Sequence, residues 1–161
     1  MVLLVGIDWA DKEHVYCLMD EAGTTLLTGT IEHTAEGLEQ FMNAVRARVQ
    51  TPHDVLVALE TSHGPLVGTL LDEGFTVYAI NPKAVERHRD RFRVAGTKSD
   101  LRDAWVLATL LRTDRVLYRP LVPDSEVAQE LRTLTRDRGD LVHTRTMLGT
   151  GPQASPGICF A

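Results

Sequence analysis

At 161 residues the chain has the length of one ordinary domain with a modest extension, and 43% hydrophobic residues suffice for a real core. No run of about eighteen apolar residues occurs, and the apolar start Val2 to Ile7 has no basic flank and breaks at Asp8, which argues against a membrane span or signal peptide and for a cytoplasmic protein. The net charge of -5 is unevenly spread: residues 1–82 carry three Lys/Arg against twelve Asp/Glu, and residues 83–161 carry fourteen against ten. That distribution suits a metal-dependent nuclease-like protein with a carboxylate-rich half and a phosphate-meeting half, and it equally suits an ordinary solvated surface. Cys17 and Cys159 lie too far apart in sequence for a zinc or redox spacing and read as unpaired thiols.

Taken in chain order, Val2 to Asp8 is a continuous apolar run, the pattern of a central strand buried on both faces. His14 to Met19 and Thr24 to Thr30 are rich in β-formers and separated by the turn residues Asp20 to Gly23, so the first three strands form an antiparallel meander. Thr34 is placed to cap a helix burying Leu38, Phe41, Met42 and Val45, closed by Thr51-Pro52. The connector helix makes the next strand, Asp54 to Glu60, parallel to the first. Ser62 to Asp72 reads as helix, Phe75 to Ile80 as a further apolar strand, and Asn81-Pro82 ends it before a basic stretch. Ser99 caps a helix to about Arg112 with Leu101, Ala104, Trp105, Ala108 and Leu111 on its inner face. The expected class is α/β, with helices on both faces of a mixed sheet.

Residues 1–115 are thus expected to form the domain and 116–123, with Pro120 and Pro123, a linker. In 124–148, Val127, Leu134, Leu141 and Leu148 recur every seven residues, which fits either the start of a coiled coil or one amphipathic helix folded back on the domain. From Gly149 the periodicity stops, and 149–161 has the composition of an unstructured tail, natural, frameshifted or artificial.

Four acids stand out. Asp8 ends the first strand, Glu60 ends the fourth, and Asp100 and Asp103 open the last helix three residues apart, on one helix face. Asp8 and Glu60 directly follow buried runs, where a carboxylate needs a compensating partner. Oxygen-preferring Mg²⁺ or Mn²⁺ relieves repulsion in such a cluster, and two ions about 3.5 to 4 Å apart serve both the attacking and leaving oxygens of a phosphodiester. Aspartates in a first helical turn are also common for the helix dipole alone.

The strings Gly6-Ile-Asp8-Trp-Ala-Asp-Lys12, Leu59-Glu60-Thr-Ser-His-Gly64, Asn81-Pro82 and Gly96-Thr-Lys-Ser-Asp100-Leu-Arg-Asp103-Ala104 resemble, in order and spacing, the DEDD transposases of bacterial insertion sequences, the one-ten group. The resemblance implies a RuvC-like ribonuclease H fold, followed by a long helix. It also implies that Asp8, Glu60, Asp100 and Asp103 are the metal-binding catalytic acids, with two Mg²⁺ or Mn²⁺ ions, and that DNA is the substrate in transposition and recombination. In this family a coiled coil leads to a domain with a catalytic serine, and some members use a structured guide RNA. By the same resemblance the chain stops inside that coiled coil, with homo-oligomerisation expected through 124–148. Ser155 matches no part of the serine domain, so activity of this chain alone is open.

Lys83, Arg87, His88, Arg89, Arg91, Arg93 and Lys98, with Arg102 between the two aspartates, lie next to the acids and form a candidate phosphate-contacting surface, or a simply solvated helix. Asp11 and Glu13 read as turn acids, the six histidines show no metal-ligand spacing, and Trp9 and Trp105 read as core. Competing functions are a stand-alone resolvase-like nuclease and a non-catalytic nucleic-acid-binding or dimerising remnant. An actin-like sugar kinase requires a glycine-rich phosphate loop that Trp9 to Glu13 lacks.

Overall fold

The computed structural model describes residues 1–10, 13–91 and 99–122. Its strands are β1 (Leu3–Asp8), β2 (Glu13–Asp20), β3 (Thr25–Glu32), β4 (Val55–Leu59) and β5 (Thr76–Ala79), and its helices α1 (Ala35–Arg46), α2 (Pro65–Asp72), α3 (Pro82–Arg91) and α4 (Asp100–Asp114). They form one five-stranded sheet in the order β3-β2-β1-β4-β5. The first three strands are antiparallel, and β4 and β5 add in parallel, as a helical crossover before each requires. The expected helix at 124–148 and the tail at 149–161 lie outside the described residues. Among the described residues no helix is long and apolar enough to cross a membrane.

The central strands are those with unbroken apolar runs: every residue of β4 and all of β1 before Asp8 are buried. Edge strand β3 buries only Ile31 fully. The β2–β3 turn closes on Asp20, whose side chain accepts from the Thr24 N–H at 2.7 Å, with Gly23 at φ 92° where a side chain would be strained. At the opposite edge the Leu121 N–H donates to the Val77 carbonyl at 2.7 Å. Residues 118–121 therefore run beside β5, with Tyr118 packed toward one core and Leu121 toward the other.

Alternation along the strands divides the core in two. Leu3, Val5 and Ile7 face α1 and α2, joining Phe41, Met42, Val45, Leu66, Val67 and Leu70. Leu4, Leu56 and Ala58 face α3 and α4, joining Val85, Leu107, Ala108 and Leu111. The expected caps form: the Thr34 hydroxyl accepts from the Gly37 N–H at 3.0 Å and the Ser99 hydroxyl from the Arg102 N–H at 3.3 Å.

Two local expectations, the start of α2 and the place of Leu101, are corrected, and the basic stretch is defined. Helix α2 begins at Pro65, not near Ser62, because proline suits a first helical position but bars its predecessor, here Gly64 at φ 113°, from the helix. The basic stretch after Asn81 is itself a helix, α3, opened by Pro82 and by the Asn81 side chain accepting from the Lys83 N–H at 2.9 Å. Leu101, expected on the inner face of α4, is 45% exposed, whereas Val106, Leu107 and Leu110 are buried. The first turn of α4 carries Leu101 clear of the core; further along, the helix is covered by the sheet and by α3.

Candidate active site

The approach of α4 to β1 is set by Gly6. A Cβ there would collide with the Ala104 carbonyl oxygen and lie 2.6 Å from the Ala108 backbone nitrogen and 2.9 Å from the Leu107 Cβ. With no side chain at Gly6, the helix backbone lies directly on the strand. Asp100, Ala104 and Ala108 follow one ridge of α4 at four-residue spacing, and Asp103, Leu107 and Leu111 the neighbouring one. The ridges that hold alanine and leucine against the sheet thus end in the two aspartates.

Asp8 and Glu60 lie on the same side of the sheet. Asp8 has the parity of Leu4 and Gly6, and Glu60 that of Leu56 and Ala58, so both belong to the α4 side. The β1–β4 register pairs Gly6 with Ala58 as its last pair, and Glu60 follows directly after β4, so continuing that register by two steps would bring Asp8 and Glu60 side by side.

Electrostatics report the same convergence. The Asp8 carboxyl is pushed from 3.8 up to about 6, first by burial and then by the negative charges of Asp103, Asp100 and Glu60, against a lowering pull from Arg89. Asp103 is 5% exposed and Asp100 is exposed. Arg89 on α3 places its Nη2 2.8 Å from Asp103 Oδ1.

Among the described residues, no three His, Cys, Asp or Glu side chains are gathered closely enough to hold one metal ion. The donor set is nonetheless all carboxylate, and the raised Asp8 shows negative charge that Arg89 leaves partly uncompensated. In donor chemistry and charge the four acids fit a hard divalent cation. Gathering them around one requires side-chain rotation and release of Asp103 from Arg89.

Of the expected basic residues, Lys83, Arg87 and Arg91 form an exposed stripe at four-residue spacing on α3, beside Glu86 and Asp90, which are also exposed. Arg102 is partly buried on α4. Arg93 and Lys98 lie outside the described residues. His88, grouped with this surface from sequence, is instead 4% exposed, with Nδ1 3.6 Å from Asp114 Oδ2; burial lowers its pKa, and Asp114 opposes that shift.

One cluster escaped the sequence reading. His14 is 2% exposed, stacks on Trp9 with ring centroids 4.3 Å apart, accepts from the Ala10 N–H at Nδ1 (3.3 Å) and meets His33 Nδ1 through Nε2 (3.2 Å). Burial, and then His33, lower the His14 pKa. A cavity of about 220 Å³ opens beside it, floored by Ile31, Leu38 and Leu66 and rimmed by Glu32, Thr34 and Pro65. Strand parity was the available signal, since His14 alternates inward with Tyr16 and Leu18.

Comparison with known proteins agrees with this architecture. A family profile for DEDD enzymes of IS110 type, described as transposase, matches residues 5–150. A putative transposase, y4uE, of Sinorhizobium fredii is 41% identical over 146 residues, covering 89% of this chain and 40% of the relative. The mini-circle putative transposase for IS117 of Streptomyces coelicolor is 40% identical over 146 residues, covering 90% of this chain and 35% of its own. The chain therefore spans well under half the length of these curated relatives. Among solved structures, RuvC of T. thermophilus in complex with a Holliday junction substrate superposes with a TM-score of 0.52 at 16% identity, covering 75% of this chain and all of that one. The fold is that of RuvC, a ribonuclease H-like fold, and the chain belongs to the family of IS110-type DEDD transposases.

Proposed function

We propose that this chain carries the metal-dependent site of a DNA transposase, acting on DNA phosphodiester bonds, with Asp8, Glu60, Asp100 and Asp103 as the catalytic acids. The observation that carries the reading is the placement of Asp8 at the end of β1, on the face where Gly6 seats α4 with Asp100 and Asp103 in its first turn. Burial first, and then the charges of Asp103 and Asp100 on that helix and of Glu60 after β4, raise the pKa of the Asp8 carboxyl. A pair of Mg²⁺ or Mn²⁺ ions, if held by these carboxylates, would supply charge neutralisation at the phosphoryl oxygens and activation of the attacking group.

The remaining work falls to the protein itself. Asp8 and Glu60 offer acceptor oxygens at the ends of strands whose register is locked by the buried sheet, so their spacing is preorganised. Asp103, nearly enclosed, is held in place by the close contact of α4 with Gly6. Lys83, Arg87 and Arg91 present positive charge on α3, where a phosphate backbone is drawn in without regard to sequence; Arg89, Arg93, Lys98 and Arg102 complete the proposed DNA surface. On this reading residues 1–115 are the catalytic domain, 116–123 a linker that first runs back along β5, and 124–148 the start of a coiled coil through which copies associate. The protein works in the cytoplasm, where its DNA substrate lies.

Calorimetric titration with Mn²⁺ tests the assignment. The protein is expected to bind the ion and Asp8→Asn to lose most of that binding, with nicking of labelled DNA lost in parallel wherever the parent is active. Equal Mn²⁺ affinity in the two proteins would falsify the assignment.

A further inference from the structure

Arg89 does not share the direction of its basic neighbours. It lies two residues from both Arg87 and Arg91, about 200° around the helix, and therefore turns away from their exposed stripe toward α4. There it meets the most enclosed carboxylate among the described residues: Arg89 Nη2 stands 2.8 Å from Asp103 Oδ1, with side-chain exposures of 29% and 7%. A permanent buried Arg–carboxylate brace is normally well aligned, often through two parallel hydrogen bonds. This one is close without being aligned. Among the described residues, Arg89 Nε and Asp103 Oδ1 are buried atoms that make no hydrogen bond. Each group keeps unused capacity for a stronger partner, and burial makes that unused capacity costly.

The two stronger partners differ in sign. Asp103 shares its surroundings with Asp8, Asp100 and Glu60 and suits a multivalent cation better than one guanidinium. Arg89 is on the helix whose outer stripe suits phosphate, and a guanidinium fork matches a phosphate's oxygens. We propose that Arg89 is an exchangeable internal cation of the acid site: its guanidinium and a divalent ion are alternative partners of Asp103, and DNA phosphate, by taking the guanidinium, releases the carboxylate to the ion. Arg89 is then a positioning residue that couples the loading of the site to the arrival of substrate. Linkage makes the coupling reciprocal, so DNA tightens ion binding by the factor by which the ion tightens DNA binding. The inference rests on the metal reading of the preceding subsection.

Mn²⁺ titrations of the whole chain, with and without a saturating short DNA duplex, test it. The duplex should raise the Mn²⁺ affinity of the unaltered protein. Arg89→Gln should bind Mn²⁺ more tightly without DNA, by roughly five- to a hundredfold, and gain little more from the duplex. Arg89→Lys, which retains the charge, should restore the dependence on DNA. A plain structural brace predicts the reverse, a lower melting temperature with weaker Mn²⁺ binding for Arg89→Gln; that result, or equal affinities in the two proteins, overturns the inference. Should Arg89→Gln fail to fold, the unaltered protein decides, since an Mn²⁺ affinity indifferent to duplex is equally fatal. Absence of Mn²⁺ binding from every protein would remove the metal reading and this inference with it, whereas binding that ignores Arg89 and DNA removes the inference alone.

Discussion

The two faces of the sheet are packed to different tolerances. On the α4 side, where the helix crosses β1, the contact is made by Gly6 with Ala104 and Ala108, and helix backbone rests on strand backbone. On the α1–α2 side Tyr16, Phe41 and Phe75 stand between the layers, and a cavity of about 220 Å³ remains beside His14. The acids belong to the close-packed face. A carboxylate on a helix can be held beside one on a strand only where the layers cannot slide, and small residues in contact supply that constraint through steric exclusion. The roomier face is where change should be tolerated.

The strongest challenge to this contrast is Gly6→Ala. A single methyl placed against the Ala104 carbonyl and the Ala108 nitrogen meets backbone, which cannot rotate away, so a loss of about 3 kcal/mol or more is expected in urea denaturation. A loss below about 1 kcal/mol would show that α4 is free to lift, and the contrast would fail.

A smaller effect concerns pH. The folded Asp8 titrates at about 6 against an ordinary 3.8, so between these values the folded protein keeps a proton that the unfolded chain releases. Stability from this group therefore falls as pH rises from about 4 to about 6 and stays lower above. In chelator, Asp8→Asn should be more stable than the parent at pH 7.5, with the gain vanishing near pH 4. A gain that is independent of pH would place its origin outside the acid cluster.

The smallest effect is expected on the open face. Ala35 lines the cavity from the first turn of α1, and Ala35→Leu has room to extend into it, so the unfolding free energy in urea should shift by no more than about 0.5 kcal/mol in either direction. A penalty matching that of Gly6→Ala would erase the distinction between the faces.

Much of this arrangement is legible in the sequence because it follows from periodicity. The unbroken apolar runs of β1 and β4 mark strands buried on both faces, the alternation in β2 marks its partner, and Thr34 and Ser99 announce the helices they cap. The acids are legible as residues standing where apolar runs stop. Contacts made between elements are harder to read. Nothing local to Leu101 tells that the first turn of α4 overhangs the core, and nothing local to Arg89 says that it turns inward while Arg87 and Arg91 face water. The pairing of His14 with His33, nineteen residues apart, depends on the β2–β3 register, which shifts between Leu18 and Met19. Such facts depend on how layers meet, and a one-dimensional pattern carries them only through small signs such as a glycine at position 6.

The segment beside β5 has a consequence for how the sheet coexists with other proteins. A parallel outer strand offers unpaired amide and carbonyl groups to any extended chain that drifts by, the usual route to unwanted strand addition. By lending the Leu121 amide to Val77 and half-burying Tyr118 on one side and Leu121 on the other, the protein shields that border with its own backbone. The chain that leaves the domain thus doubles as a selvedge, keeping the sheet at five strands.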